Sequence, residues 1–116
     1  MTQEATAPSL ELKLEVRKGP EETIVVCAGR ITSNTSPLLQ NTVRPLLSES
    51  KRIVLDLSEV SYMDSSGLGS LVGLWVTSRK ANCEFKLVKL TDRIKDLLKM
   101  SNLSKVLESD HEYLGM

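Results

Sequence analysis

Apolar and charged residues alternate strictly where the patterned part of the chain begins. Leu10, Leu12, Leu14 and Val16 interleave with Glu11, Lys13, Glu15 and Arg17. A period of two predicts a strand with one wet face. Charge on that face suits an edge strand, where it discourages pairing with other chains. Gly19-Pro20 signals a turn. The apolar run Ile24 to Ala28 then predicts a more buried strand that pairs back on the first and ends at Gly29. Beyond it the period changes. Ser33-Asn34-Thr35-Ser36 offers N-cap oxygens, Pro37 fits the first helical position, and Leu38, Leu39, Val43, Leu46 and Leu47 keep a helical spacing. Pro45 falls inside that helix and predicts a kink or an early stop.

Ile53 to Leu57 is a short apolar run between Lys51-Arg52 and Ser58. It reads as a central parallel strand buried on both faces. A helix is expected from about Ser66, a strand over Phe85 to Leu90, and a helix capped by Thr91 that carries Ile94, Leu97 and Leu98 and stops at Ser101-Asn102. Leu103, Val106 and Leu107 predict a final short strand or helical turn. The order β-β-α-β-α-β-α implies an α/β layer fold, with a mixed central sheet and helices mainly on one face. Residues 1–9 read as a flexible tail, 10–108 as one domain and 109–116 as a second tail.

Composition narrows the function. The 116 residues are enough for one domain with a core of its own. Aromatics make up only 3%, so that core must be aliphatic. Lys plus Arg and Asp plus Glu both number 15, for a formal net charge of +0. This balance disfavours nucleic-acid binding and electrostatic docking to membranes. Cys27 and Cys83 have no metal-ligand spacing and read as reduced, mostly buried thiols of a cytoplasmic protein. No signal peptide is read in residues 1–9, and the longest uncharged stretch, Ser65 to Ser78, is too short and too rich in Ser and Gly to cross a bilayer.

The most informative stretch is Ser61-Tyr62-Met63-Asp64-Ser65-Ser66-Gly67-Leu68-Gly69, which joins the central strand to the next helix. Asp64, Ser65 and Ser66 are all good N-cap residues. At 100° per residue, Leu68, Leu71, Val72 and Trp75 share one face, the expected core face. Ser66, Ser70, Gly73 and Thr77 lie opposite, with Gly69 alongside, and no charge appears before Arg79. A solvated face normally carries Lys and Glu. One of small residues admits another backbone, at about 1 kcal/mol of helix propensity per glycine. It is either a docking surface for a partner, a seat for another element of the same domain, or a bland surface. Ser65 and Ser66 sit where orphan N–H groups and the helix dipole tolerate phosphate. A phosphoserine of about −1.5 to −2 charge there would obstruct an apolar docking face; plain N-capping is the other reading.

Competing chemistry fits poorly. A nucleophile elbow needs Gly-x-Ser-x-Gly, and neither serine has the leading glycine. The one histidine, His111, lies in the expected tail. The glycines Gly67, Gly69 and Gly73 miss the dinucleotide spacing by one residue, and no P-loop lysine is present. Asp56, Glu59 and Asp64 cluster around one strand end without a histidine or thiol, which favours capping and turn roles. No enzyme activity, metal or cofactor is expected.

The run Ile53-Val54-Leu55-Asp56-Leu57-Ser58-Glu59-Val60-Ser61-Tyr62-Met63-Asp64-Ser65-Ser66-Gly67-Leu68-Gly69 resembles the signature of the STAS domain family, which takes its name from sulfate transporters and anti-sigma factor antagonists. The resemblance extends over nearly the whole chain, from the hairpin ending in Gly29-Arg30-Ile31 to Met100-Ser101-Asn102-Leu103, which is similar to the family's Met-Ser-Gly-Leu turn. It implies a stand-alone anti-sigma factor antagonist, monomeric or weakly dimeric. In such antagonists the first serine after the aspartate, here Ser65, is phosphorylated by an ATP-using anti-sigma factor serine kinase of the GHKL type, and a phosphatase reverses it. The dephosphorylated form holds the anti-sigma factor and frees the sigma factor. The uncharged helix face and the resemblance together give Arg30, Thr32, Ser33, Asp64, Ser65, Ser66, Gly69, Ser70, Gly73 and Thr77 as the expected partner-binding residues, with Ser66 as the lesser phosphorylation candidate. The chain departs from the family at Thr32, where many antagonists carry an acid, and in a shortened C-terminal helix. The alternative is a non-enzymatic STAS scaffold subunit of a signalling or lipid-transport complex.

Overall fold

In a computed structural model, residues 11–100 are described, and they form four strands and three α-helices. They run β1 (Leu12–Lys18), β2 (Glu22–Ile31), α1 (Ser36–Val43), a 3₁₀ turn over Arg44–Ser48, β3 (Arg52–Met63), α2 (Ser65–Lys80), β4 (Glu84–Val88) and α3 (Asp92–Met100). The sheet order is β1-β2-β3-β4. β1 pairs antiparallel with β2, whereas β2-β3 and β3-β4 are parallel, so the sheet is mixed. The expected tails, the last short element and His111 lie outside the described residues.

All three helices pack on one face of the sheet. That face presents Val25, Cys27, Ile53, Leu55, Leu57, Phe85 and Leu87, which share one core with Leu39, Val43, Leu68, Leu71, Leu74, Ile94 and Leu98. Every member is aliphatic or sulfur-bearing except Phe85, as the scarcity of aromatics requires. β3 is central and parallel to both neighbours. It is not buried on both sides: Val54 is covered on the far face, but Asp56 is partly exposed there. β1 is an edge strand, and Lys13, Glu15 and Arg17 lie on its far, open face, while Lys18 at its end reaches Glu49 on the helix side at 3.1 Å.

Two strands are longer than the hydrophobic runs indicate. β2 does not end at Gly29 but runs on to Ile31, and the register with β3 shifts between Val26 and Ala28 and between Gly29 and Arg30. Gly29 takes φ +122°, and a Cβ there would collide with the Glu11 carbonyl oxygen, to which the Arg30 N–H donates at 2.7 Å. The glycine therefore marks a bulge and not a strand end. β3 likewise continues past Ser58 to Met63. Its irregular stretch is held by the Asp56 carboxylate, which accepts from the Ser58 N–H at 3.0 Å and the Ser58 hydroxyl at 2.7 Å. The extension brings Tyr62 beside Arg30 and Met63 beside Ile31. The Pro45 expectation agrees with the structure: α1 stops at Val43 and gives way to the tighter 3₁₀ turn.

Candidate functional site at the β3–α2 junction

The junction is built by a cap. Asp64 leaves the strand with extended backbone (φ −107°, ψ −175°), and its carboxylate accepts the Gly67 N–H at 2.9 Å. Its own N–H donates to the Ile31 carbonyl at 3.3 Å, tying the helix start to the end of β2. Gly67 makes this approach possible, since a Cβ there would overlap the Ile31 carbonyl oxygen. The Asp-Ser-Ser-Gly order thus has a local cause: an aspartate to cap, then a residue small enough to touch β2. Ser65 opens α2 and is exposed, as is Ser66. Among the described residues, no hydrogen bond engages the Ser65 hydroxyl.

α2 is rolled relative to the face projected from its sequence. Its buried residues are Gly67, Leu68, Ser70, Leu71, Leu74 and Ser78. Val72 and Trp75, expected in the core, are only half-buried, and the Arg79 guanidinium lies 5.2 Å from the centre of the Trp75 ring. The indole is too bulky for the close helix–sheet contact that Gly67 permits, so Leu74 and the small Ser78 take the inner position. Ser78 Oγ satisfies itself by donating to the Trp75 carbonyl at 2.6 Å. The roll moves Ser70 off the open face: it is 8% exposed, its hydroxyl donates to the Ser66 carbonyl, and its carbonyl accepts from Gln40 Nε2 of α1. The outward stripe is instead Ser65, Ser66, Gly69, Gly73 and Val76, with Thr77 half-buried at its edge. Val76 is 40% exposed, a large apolar side chain in the stripe. A Cβ at Gly69 would meet nothing within 4 Å, and one at Gly73 only the flexible Gln40 amide at 3.4 Å. The fold therefore does not require either glycine.

Arg30, Thr32, Ser33, Asn34, Tyr62 and Asp64 come together beside this helix start, where with Glu11 they line a polar cavity of about 540 Å³. Thr32 is not available as a contact residue. It is 8% exposed; its hydroxyl accepts from the Asn34 N–H, and its carbonyl receives the Ser36 N–H and hydroxyl. Thr35 Oγ1 closes the turn by accepting from the Thr32 N–H and donating to the Arg30 carbonyl. Ser33 is exposed, and so is Arg30, whose guanidinium lies 4.8 Å from the centre of the Tyr62 ring.

A family model, described as STAS domain, matches residues 11–113. The chain belongs to the STAS domain family. A Listeria monocytogenes protein named anti-sigma-B factor antagonist is 32% identical over 101 residues, which are 85% of this chain and 89% of that relative. The Bacillus subtilis protein of the same name is 28% identical over 99 residues, 85% and 91% of the two chains. Among solved structures, a putative anti-sigma factor antagonist from Thermotoga maritima superposes with a TM-score of 0.72 at 20% identity, covering 86% of this chain and 93% of that one.

In this STAS domain the expected residues fall into two groups. Ser65, Ser66, Gly69, Gly73 and the edge residue Thr77 follow the outward side of α2, while Arg30, Thr32, Ser33 and Asp64 surround the cavity at its start. Sequence reasoning missed three contributors. Val76 lies on the stripe only because of the roll. Tyr62 stands inside the signature but carries no motif role of its own. Arg93, on the first turn of α3, brings its guanidinium to 5.2 Å from the same tyrosine ring, a contact that depends on α3 docking and leaves no local signal. Among the described residues, no group of three or more His, Cys, Asp or Glu side chains is placed to hold a metal ion, and no helix is long and apolar enough to cross a membrane.

Proposed function

We propose that this chain is a cytoplasmic, non-enzymatic anti-sigma factor antagonist whose binding to an anti-sigma kinase is switched off by phosphorylation of Ser65. The observation that carries the reading is the outward stripe of α2. Gly69 and Gly73 lower helix propensity and serve no packing need inside the chain, and Ser65 stands unengaged at the head of the stripe. A surface of this shape accepts the backbone of a partner. The names of the Listeria and Bacillus relatives supply the class of partner. In the switching step, Ser65 Oγ attacks the γ-phosphorus of ATP held by the kinase. The bond to ADP breaks, and the serine proton passes to a base of the kinase. Hydrolysis by a phosphatase restores the hydroxyl. A hundredfold loss of affinity needs only about 2.7 kcal/mol, within reach of one obstructed contact plus an unmatched charge.

The test is a pull-down from the native host with wild type, Ser65→Ala and Ser65→Asp as baits. Wild type and Ser65→Ala are expected to capture a GHKL-type ATPase, and Ser65→Asp is expected not to. If all three capture the same proteins and no such kinase is among them, Ser65 is only a helix residue and the chain is a scaffold subunit.

A further inference from the structure

We propose that Arg30 and Arg93 form a two-armed clamp, built on Tyr62, that takes the phosphate of phosphorylated Ser65. This rests on the reading of Ser65 as the switch. Three segments converge on one ring: Arg30 from the end of β2, Tyr62 directly across from it on β3, and Arg93 from the first turn of α3. The two guanidinium carbons lie 4.8 Å and 5.2 Å from the ring centre. Among the described residues, neither guanidinium group has an ion pair or a hydrogen bond. Some other cations of the chain do: Arg17 with Glu15, Lys18 with Glu49, Arg52 with Glu22 and Glu84, and Lys89 with Asp56. Two guanidinium groups gathered at one aromatic ring, neither in an ion pair among the described residues, favour an anion placed beside them.

Ser65 is where such an anion would be introduced. It follows Asp64, which lines the same cavity as Arg30 and Tyr62. The other charged groups at this end are Glu11 and Asp64 on the cavity wall and Asp92 next to Arg93. The Asp64 carboxylate is occupied by the Gly67 N–H. A guanidinium matches phosphate with two parallel N–H donors, and stacking on the ring keeps its fork planar and oriented. Thr32 fits the arrangement: it lines the cavity with a hydroxyl bound to its own turn and adds no negative charge that would compete. The clamp gives the phosphorylated state a defined conformation, and a phosphatase must displace two guanidinium groups to reach it.

The experiment installs phosphoserine at position 65 of the full chain during translation, so that no kinase is needed, and follows the phosphate by ³¹P NMR titration. The variants are Arg30→Gln, Arg93→Gln, the double variant and Thr32→Asp, with phosphoserine at position 66 as a control. An unclamped phosphoserine has a second pKa of about 6. In the wild-type background it is expected to lie about half a unit or more below its value in the double variant, since nearby cations favour the dianion. Each single variant gives up part of the shift, and Thr32→Asp, which keeps an acceptor for the Asn34 N–H, gives up part as well. Equal values in wild type and double variant overturn the clamp, as does a shift carried wholly by one arginine or one equally large at position 66. Amide spectra of the unphosphorylated variants verify that each is folded. Failure here leaves the pull-down result standing, and a failed pull-down leaves this titration readable.

Discussion

Asp56 shows how a single side chain carries an irregular strand. Burial pushes its carboxyl up, but the Ser58 N–H and hydroxyl and the Lys89 ammonium at 3.5 Å outweigh that and hold it below the ordinary aspartate value. A carboxyl lowered in the folded state stabilises above the unfolded pKa, and that contribution fades as pH falls through the folded one. Stability is therefore expected to drop from about pH 4 downward. Asp56→Asn is expected to lose about 1–2 kcal/mol at pH 7, the scale of a charge-assisted hydrogen bond, and to converge on wild type in acid; parallel urea melts at pH 7 and pH 3 check this. The sequence groups Asp56 with Glu59 and Asp64 at one strand end. The structure gives them separate places: Asp56 braces the irregular stretch of β3, Asp64 caps α2, and Glu59 is exposed on β3. Thr32 is a similar case, since a residue singled out for its departure from a family pattern is engaged in its own turn.

At the scale of the element, α2 makes opposite demands on glycines two residues apart. Gly67 touches the backbone of β2, and Gly67→Ala is expected to destabilise by about 2 kcal/mol or more, as overpacking against a carbonyl does. Gly69 faces open space, and Gly69→Ala is expected to stabilise by about 0.5–1 kcal/mol through helix propensity alone. Thermal melts of the two variants should therefore shift in opposite directions. Gly73→Arg is expected to leave the melt nearly unchanged and to abolish capture of the proposed kinase in the pull-down. The helix, its cap and its lack of charge were legible in the sequence because each is a local property. Its roll was not legible. Trp75 is the largest member of the projected face, and only the tight contact at Gly67 decides that the indole lies at the edge while Leu74 and Ser78 go beneath it. The lengths of β2 and β3 were hidden for a related reason. Bulges let a strand continue through Gly29, Ser58 and Glu59, where the hydrophobic pattern has already lapsed.

For the whole molecule, element order, sheet composition and the sidedness of the helices follow from the alternation of patterns along the chain. What required three dimensions was convergence: Arg30, Tyr62 and Arg93 meet only once β2, β3 and α3 are assembled. The two thiols report on that assembly. Burial, aided by the Asp56 charge, pushes the Cys27 thiol up to about 12, and burial also raises Cys83. Neither is expected to react with iodoacetamide at pH 8 while the protein is folded, and denaturant should expose both; mass spectrometry of the alkylated chain reads the result. The end of the sheet away from Ser65 is fastened differently. Arg52 reaches Glu22 at 3.2 Å and Glu84 at 2.8 Å, so one cation spans three neighbouring strands. β3 carries twelve residues between that fastening and the helix cap, roughly 35 Å of strand. A fluorophore or surface tether placed at the exposed Lys51 would thus sit on a stiff mast well away from Ser65, and a change in its tumbling would report a partner arriving or leaving.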